Sequence, residues 1–190
     1  RLPVEQVATL GAEFDQVVCT GVLHHLPDPD AGLASLRSVL APDGAAVLMV
    51  YAPYGRTGIY MIQDYCRRLG IGSSTAEIAE LVASLREIPT GHPLSHLLRG
   101  TRDFQHDDAL ADALLHPRDR AYSVPQLFDW LERNGVRFAR WLRQAPYDPR
   151  CGTPSETPHA ARIAALPLTE QYTAMELFRG TMTRHYVIAV

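Results

Sequence analysis

Between Phe14 and Tyr51 the chain reads strand, helix, strand, and this alternation limits its fold more than any other feature. Val17 to Cys19 is a short apolar run, read as a buried strand, that ends in the small-residue turn Thr20-Gly21. Asp30 is placed to cap a helix whose apolar positions Leu33, Leu36, Val39 and Leu40 follow helical spacing. Leu40-Ala41-Pro42-Asp43-Gly44 has the composition of a turn. Ala45 to Tyr51 is then uninterrupted apolar sequence, the pattern of a strand covered on both faces. An α/β fold with a parallel sheet is the expectation. In open sheets of that kind, ligands bind just beyond the carboxyl ends of the strands. Val22-Leu23-His24-His25-Leu26-Pro27-Asp28 occupies that position after the first strand.

Bulk properties narrow the function classes. A chain of 190 residues fits one domain with a real core. The formal net charge of -3 and the lack of a basic stripe argue against a nucleic-acid partner. Arg137, Arg140 and Arg143 recur near an expected strand and read as its solvated face. No run approaches the roughly 18 apolar residues of a membrane helix, and no secretory signal is evident. Cys19, Cys66 and Cys151 are too few and too scattered for a disulfide framework or a zinc knuckle, which suggests a reduced, cytoplasmic setting.

Phe14-Asp15, the apolar strand, a small residue, then Val22-Leu23-His24-His25-Leu26-Pro27-Asp28, a helix, Leu40-Ala41-Pro42-Asp43-Gly44 and a second strand occur in a telling order. This order resembles the region around strands four and five of the class I S-adenosylmethionine-dependent methyltransferases. The resemblance covers about a quarter of the chain and is silent on substrate. It implies a Rossmann-like class I methyltransferase sheet, here its C-terminal strands four to seven, with an inserted helical cap. Residues 1–190 would form one partial methyltransferase domain and residues 56–118 the cap within it. The implied cofactor is S-adenosylmethionine, and the implied reaction is methyl transfer to an oxygen, nitrogen or carbon of a small molecule.

The same resemblance predicts what lies elsewhere. Arg1-Leu2-Pro3 resembles the segment that follows the adenine-side acid, and no G-x-G-x-x-G occurs in the chain. The first three strands, the glycine-rich loop and the ribose-binding acid are therefore expected upstream, with this chain the C-terminal part of a longer protein. Alone it is expected to bind the cofactor poorly and to leave open the strand edge where the first strand would pair, an association hazard. A homodimer is one outcome of such an edge.

Beyond Tyr51, Thr57 is placed to cap a helix stopped by Gly70, and a second helix runs from Thr75 to Pro89 with Ile78, Leu81, Val82, Leu85 and Ile88 as its stripe. Thr90 to His106 reads as loop with a short apolar segment at Leu94 to Leu98. Another short helix opens at Asp107. Ser123-Val124-Pro125-Gln126 reads as a capping box, Gly135 as a helix stop, and Val136 to Leu142 as a strand with one wet face. Ala160 to Phe178 reads as helix broken near Pro167. His185 to Val190 reads as the closing strand, antiparallel in the resembling family.

Candidate site residues follow from this layout. His24 and His25 are candidate catalytic residues, because a histidine can act as a general base near neutral pH. The resemblance makes His25 the cofactor-proximal one and His24 the one that varies with substrate. Local packing is the competing role for either. A metal site with Asp28 is disfavoured, since adjacent side chains on a turn point apart, so no metal is expected. Cys19, Thr20, Gly21, Val22 and Leu23 are the cofactor-binding candidates, Gly21 because a ligand approaches its backbone closely. Tyr51, Tyr54 and Tyr60 offer apolar bodies with polar tips to a substrate, and Arg56 a partner for a carboxylate or phosphate. A non-catalytic methyltransferase-like interaction domain and a metal-dependent hydrolase on His24, His25 and Asp28 are the alternatives.

Overall fold

A computed structural model describes residues 2–100 and 106–190. The part of the loop that runs over residues 101–105, and Arg1 of Arg1-Leu2-Pro3, lie outside the described residues. The chain divides into two compact units, residues 1–54 with 118–190, and residues 55–117.

The first unit is built on a four-stranded sheet of β1 (Phe14–Thr20), β2 (Leu40–Tyr51), β3 (Phe138–Trp141) and β4 (Arg184–Ala189) in the order β1-β2-β4-β3. β1 and β2 are parallel, joined by the helix α1 (Pro29–Ser38), while β4 runs antiparallel to both of its neighbours. The closing antiparallel strand matches the expectation. The turn expected at Leu40 to Gly44 is instead the start of β2. Phe14 pairs with Leu40, the register then shifts, and Gln16 pairs with Ala45, so those residues form an irregular strand entry.

The cap of α1 is Asp28 rather than Asp30. Asp28 precedes Pro29, which holds it extended, and its side chain accepts from the N–H groups of Asp30 and Ala31 at 3.0 and 3.1 Å. Pro29 then takes a first-turn position, where a missing N–H costs nothing. Asp30 is released to meet Asn134 Nδ2 at 2.8 Å and Arg133 at 3.2 Å, which ties α1 to the end of α6 (Val124–Arg133). Ser123 and Gln126 form the expected capping box, and Gly135 follows the helix with φ of 67°.

Leu33 and Leu36 of α1, Leu127, Trp130 and Leu131 of α6, Leu48 and Val50 of β2, and Val187 of β4 share one core with Tyr172 of α7 (Leu168–Arg179). β1 departs from the buried strand expected. Cys19 faces the core, but Val18 on the other face is 62% exposed. Among the described residues β1 pairs with β2 alone.

The second unit contains α2 (Thr57–Leu69), α3 (Thr75–Arg86), α4 (Ser95–Gly100) and α5 (Asp107–Leu115). Ile59, Ile62, Cys66, Leu81, Leu85, Leu94, Leu97, Leu110 and Leu114 make its separate core. Thr57 does not cap α2; Arg56 stands at that position without a side-chain cap. Gly70 closes the helix in the left-handed region, and Ser74 with Glu77 caps α3. Gln63 reaches across from α2 to the carbonyl of Ala113 at 2.9 Å. Among the described residues no helix is long and apolar enough to cross a membrane.

A short helical turn at Ala145–Tyr147 leads into Asp148, where an acid-sensitive contact arises. Arg150 Nε and Nη2 donate to its carboxylate at 2.9 and 2.8 Å, and the Arg150 N–H adds a third bond, holding the Asp148 carboxyl at about 2. The folded value lies below the unfolded one, so this stabilisation is complete above about pH 4 and is lost as pH falls toward 2. Asp148→Asn is expected to flatten the fall of Tm between pH 4 and pH 2, read by circular dichroism melts. Exposure of Arg150 to solvent keeps the effect small. Identical acid limbs in the two proteins would refute the contact's role.

Candidate active site

The carboxyl end of β1 turns sharply at Gly21, whose φ of 75° is one that residues with a Cβ rarely adopt. A Cβ there would meet only Met49 Cε at 3.6 Å, so backbone conformation, not crowding, calls for glycine. Thr20 is exposed beside it and Val22 is 38% exposed, so backbone and side chains stand open at the strand end. Cys19 and Leu23 are instead core side chains, with burial pushing the Cys19 thiol up, and can offer a ligand only their backbone.

Leu23–His25 form a single tight helical turn. That turn brings both histidines to the ring of Tyr51 at the end of β2. His24 lies 3.9 Å from Tyr51 between ring centroids, and His25 lies 5.5 Å from it nearly edge-on. The two imidazoles are 4.2 Å apart. His24 is buried, whereas His25 is half-buried. His25 Nδ1 lies 2.7 Å from the carbonyl oxygen of Arg118, which can only accept. Nδ1 therefore carries the proton, and Nε2 is the basic nitrogen of the neutral ring.

The segment that supplies Arg118 runs along the same edge. Arg120 N–H donates to the His24 carbonyl, Tyr122 N–H donates to the Tyr51 carbonyl at 2.9 Å, and Ala121 forms a parallel bridge with Tyr51. His24, His25 and Tyr51 are thus gathered at the ends of β1 and β2. Tyr54 follows as a 41% exposed ring. Arg56 and Tyr60 belong to the second unit, where Arg56 Nε donates to the Tyr60 hydroxyl at 3.1 Å. Among the described residues, no three His, Cys, Asp or Glu side chains are grouped to hold a metal ion.

Sequence reasoning missed a second polar cluster. The Tyr147 hydroxyl meets His185 Nδ1 at 2.6 Å, and His185 Nε2 meets Glu176 Oε1 at 3.0 Å. Glu176 Oε2 accepts from the Val124 N–H at 2.8 Å. An ionised Glu176 receiving both N–H donors leaves His185 Nδ1 to accept from Tyr147. His185 and Glu176 are fully enclosed, and Tyr147 stacks flat on Trp141 at 3.7 Å. Burial, with the Glu176 charge behind it, pushes the Tyr147 phenol well above its usual range. The residues are far apart in sequence. The one legible sign was a histidine on the buried side of the alternating closing strand, with Val187 and Ala189.

Solved structures share this fold. The chain superposes over 99% of its length on PKMT2 from Rickettsia typhi in complex with AdoHcy, with a TM-score of 0.74 at 15% identity, covering 38% of that protein. Uncomplexed PKMT2 from the same organism gives a TM-score of 0.71, also at 15% identity, covering 99% of this chain and 37% of that one. The chain has the class I methyltransferase fold. Its residues 1–46, which hold β1 and the Gly21 turn, match a family model described as a methyltransferase domain. The protein syc1184_c of Synechococcus sp., itself uncharacterized, is 34% identical over 189 residues, 96% of this chain. The chain spans 45% of the length of that relative. Within the methyltransferase fold, β1, β2, β4 and β3 are the expected strands four, five, seven and six, and the two histidines follow strand four.

Proposed function

We propose that this chain contributes to S-adenosylmethionine-dependent methyl transfer onto a small-molecule nucleophile. The carrying observation is the superposition of nearly the whole chain on a protein crystallised with AdoHcy. The residues at the end of β1 suit that cofactor, since Gly21 presents backbone without a Cβ and Thr20 and Val22 stand open beside it. Thr20, Gly21 and Val22, with the backbone of Cys19 and Leu23, are the proposed contacts. Bound there, the cofactor supplies an activated methyl on its sulfonium. The chain's own task is to orient an acceptor and exclude water.

His25 is the better placed of the two candidate bases. Its Nδ1–H is anchored on Arg118, so Nε2 is free of tautomeric ambiguity and can take a proton from the acceptor. His24, packed on Tyr51, positions it. Tyr51 and Tyr54 are the proposed acceptor contacts of the first unit.

Calorimetric titration with S-adenosylhomocysteine tests the reading, on this chain and on any longer form its gene encodes. Saturable binding is expected in at least one form. Gly21→Val should weaken it about tenfold, because the turn is strained by any β-branched residue, while His25→Gln should leave it nearly unchanged. Binding by neither form would overturn the proposal. The open side of β1 and the exposed Val18 favour a non-catalytic interaction domain as the second reading, and self-association without cofactor binding would promote it.

A further inference from the structure

A cavity of about 330 Å³ lies in the first unit where β3 ends and β4 begins. Trp141 pairs with Val187, and Leu142 N–H donates to the Tyr186 carbonyl at 2.9 Å, so the next residue, Arg143, is brought alongside the start of β4. The lining comprises Arg143, Arg184, Thr181, Thr183, Tyr147 and Tyr186, with Pro146 and Met182 completing it. It brings together the guanidinium groups of Arg143 and Arg184 and the hydroxyls of Thr181 and Thr183. That concentration of positive charge runs against a chain whose net charge is -3. Arg143 makes no ion pair with the described residues. Tyr147 is a fixed wall, clamped between Trp141 and the His185–Glu176 pair.

We infer that this cavity binds an oxyanion, the carboxylate or phosphate of a small acidic ligand. Guanidinium forks match either group with paired charge-assisted hydrogen bonds, and threonine hydroxyls add donors. The volume is at the lower end for small-molecule sites, which fits a compact acid. The cavity also stands at the sheet end that carries the histidines. Arg184 pairs with Tyr51 across β4 and β2, and Ala52 N–H donates to the Thr183 carbonyl at 3.1 Å. On the methyl-transfer reading, and resting on it, the ligand is the acceptor, which makes the acceptor an acidic small molecule.

The test is a heteronuclear NMR titration of the chain with inorganic phosphate and, separately, with acetate, at ionic strength held constant with sodium chloride. Saturating shifts are expected at Thr181 to Tyr186 and at the Arg143 side chain. Arg143→Gln and Arg184→Gln should each weaken binding at least about fivefold, as loss of one charge-assisted partner does. Both arginines are exposed, so both variants should keep the parent's spectrum elsewhere. A stronger response to phosphate assigns a phosphorylated ligand, and a stronger response to acetate a carboxylic acid. Shifts no larger than those from chloride, or shifts that persist in both variants, overturn the inference. If that happens while S-adenosylhomocysteine still binds, the methyl-transfer reading stands. Anion binding without S-adenosylhomocysteine binding keeps the anion site and removes the acceptor assignment.

Discussion

Replacing His185 with alanine is expected to destabilise the first unit by about 3–5 kcal/mol, because two buried polar groups, one of them a carboxylate, each lose a hydrogen-bond partner. At two to four degrees per kcal/mol, Tm should fall by about 10 °C. The loss has two sources. Glu176 is enclosed in the core, and without His185 the Val124 N–H is left to face its carboxylate. Tyr147 loses the acceptor for its hydroxyl, equally buried. Urea denaturation of single and double variants separates these terms. His185→Ala with Glu176→Ala should cost clearly less than the sum of the two single changes, because the second change removes the carboxylate the first one orphaned. A loss below about 1 kcal/mol for His185→Ala would show that the pair does not hold the unit together.

Gly58→Ala should also destabilise, and here two rules pull in opposite directions. Gly58 lies in the first turn of α2, where alanine is the better helix former by up to about 1 kcal/mol. Packing opposes this. A Cβ on Gly58 would stand 2.5 Å from the Pro93 carbonyl carbon and 2.6 Å from Leu94 Cα, and would collide with Leu94 N. These are backbone atoms and cannot rotate aside. Leu94 is also a fully buried member of the second unit's core, so moving its segment disturbs that core. The clash outweighs propensity, and a net loss of about 2–3 kcal/mol is expected. Denaturation followed by hydrogen exchange at α2 and α4 measures it. An unchanged or raised stability would mean that the Pro93-Leu94 segment yields easily.

Features written in a few neighbouring residues were legible in the sequence. The Ser123 and Gln126 capping box, the stops at Gly70 and Gly135 and the break at Pro167 all needed only local chemistry. The strand–helix–strand order was legible for the same reason. What depends on distant partners was not. The entry into β2 is irregular because Phe14 N–H bonds to the Val39 carbonyl and starts the pairing early. Val18 looks apolar enough for a core, but its face of β1 is open. Asp28 outcompeted Asp30 as a cap through the proline between them, a local rule applied one step too late.

The candidate site divides along the same line. Gly21, His24 and His25 could be singled out as candidates because the strand, the turn and the histidines are contiguous. Tyr51 could be singled out as the end of the next strand. The Tyr147–His185–Glu176 cluster joins an irregular turn, a strand and a helix, and no spacing could announce it. The Arg143–Arg184 cavity depends on antiparallel register between β3 and β4, which only the fold reveals.

The bridge between Tyr51 and Ala121 also bears on chain entropy. Both connections to residues 55–117 leave the first unit from points that are already hydrogen-bonded to each other. The detour is closed at its neck by the sheet itself, whatever it contains. The entropy of closing a loop grows only with the logarithm of its length, about 0.6 kcal/mol for each doubling. A change in the length of residues 55–117 therefore carries little thermodynamic cost, and the bridge at the neck does not depend on it.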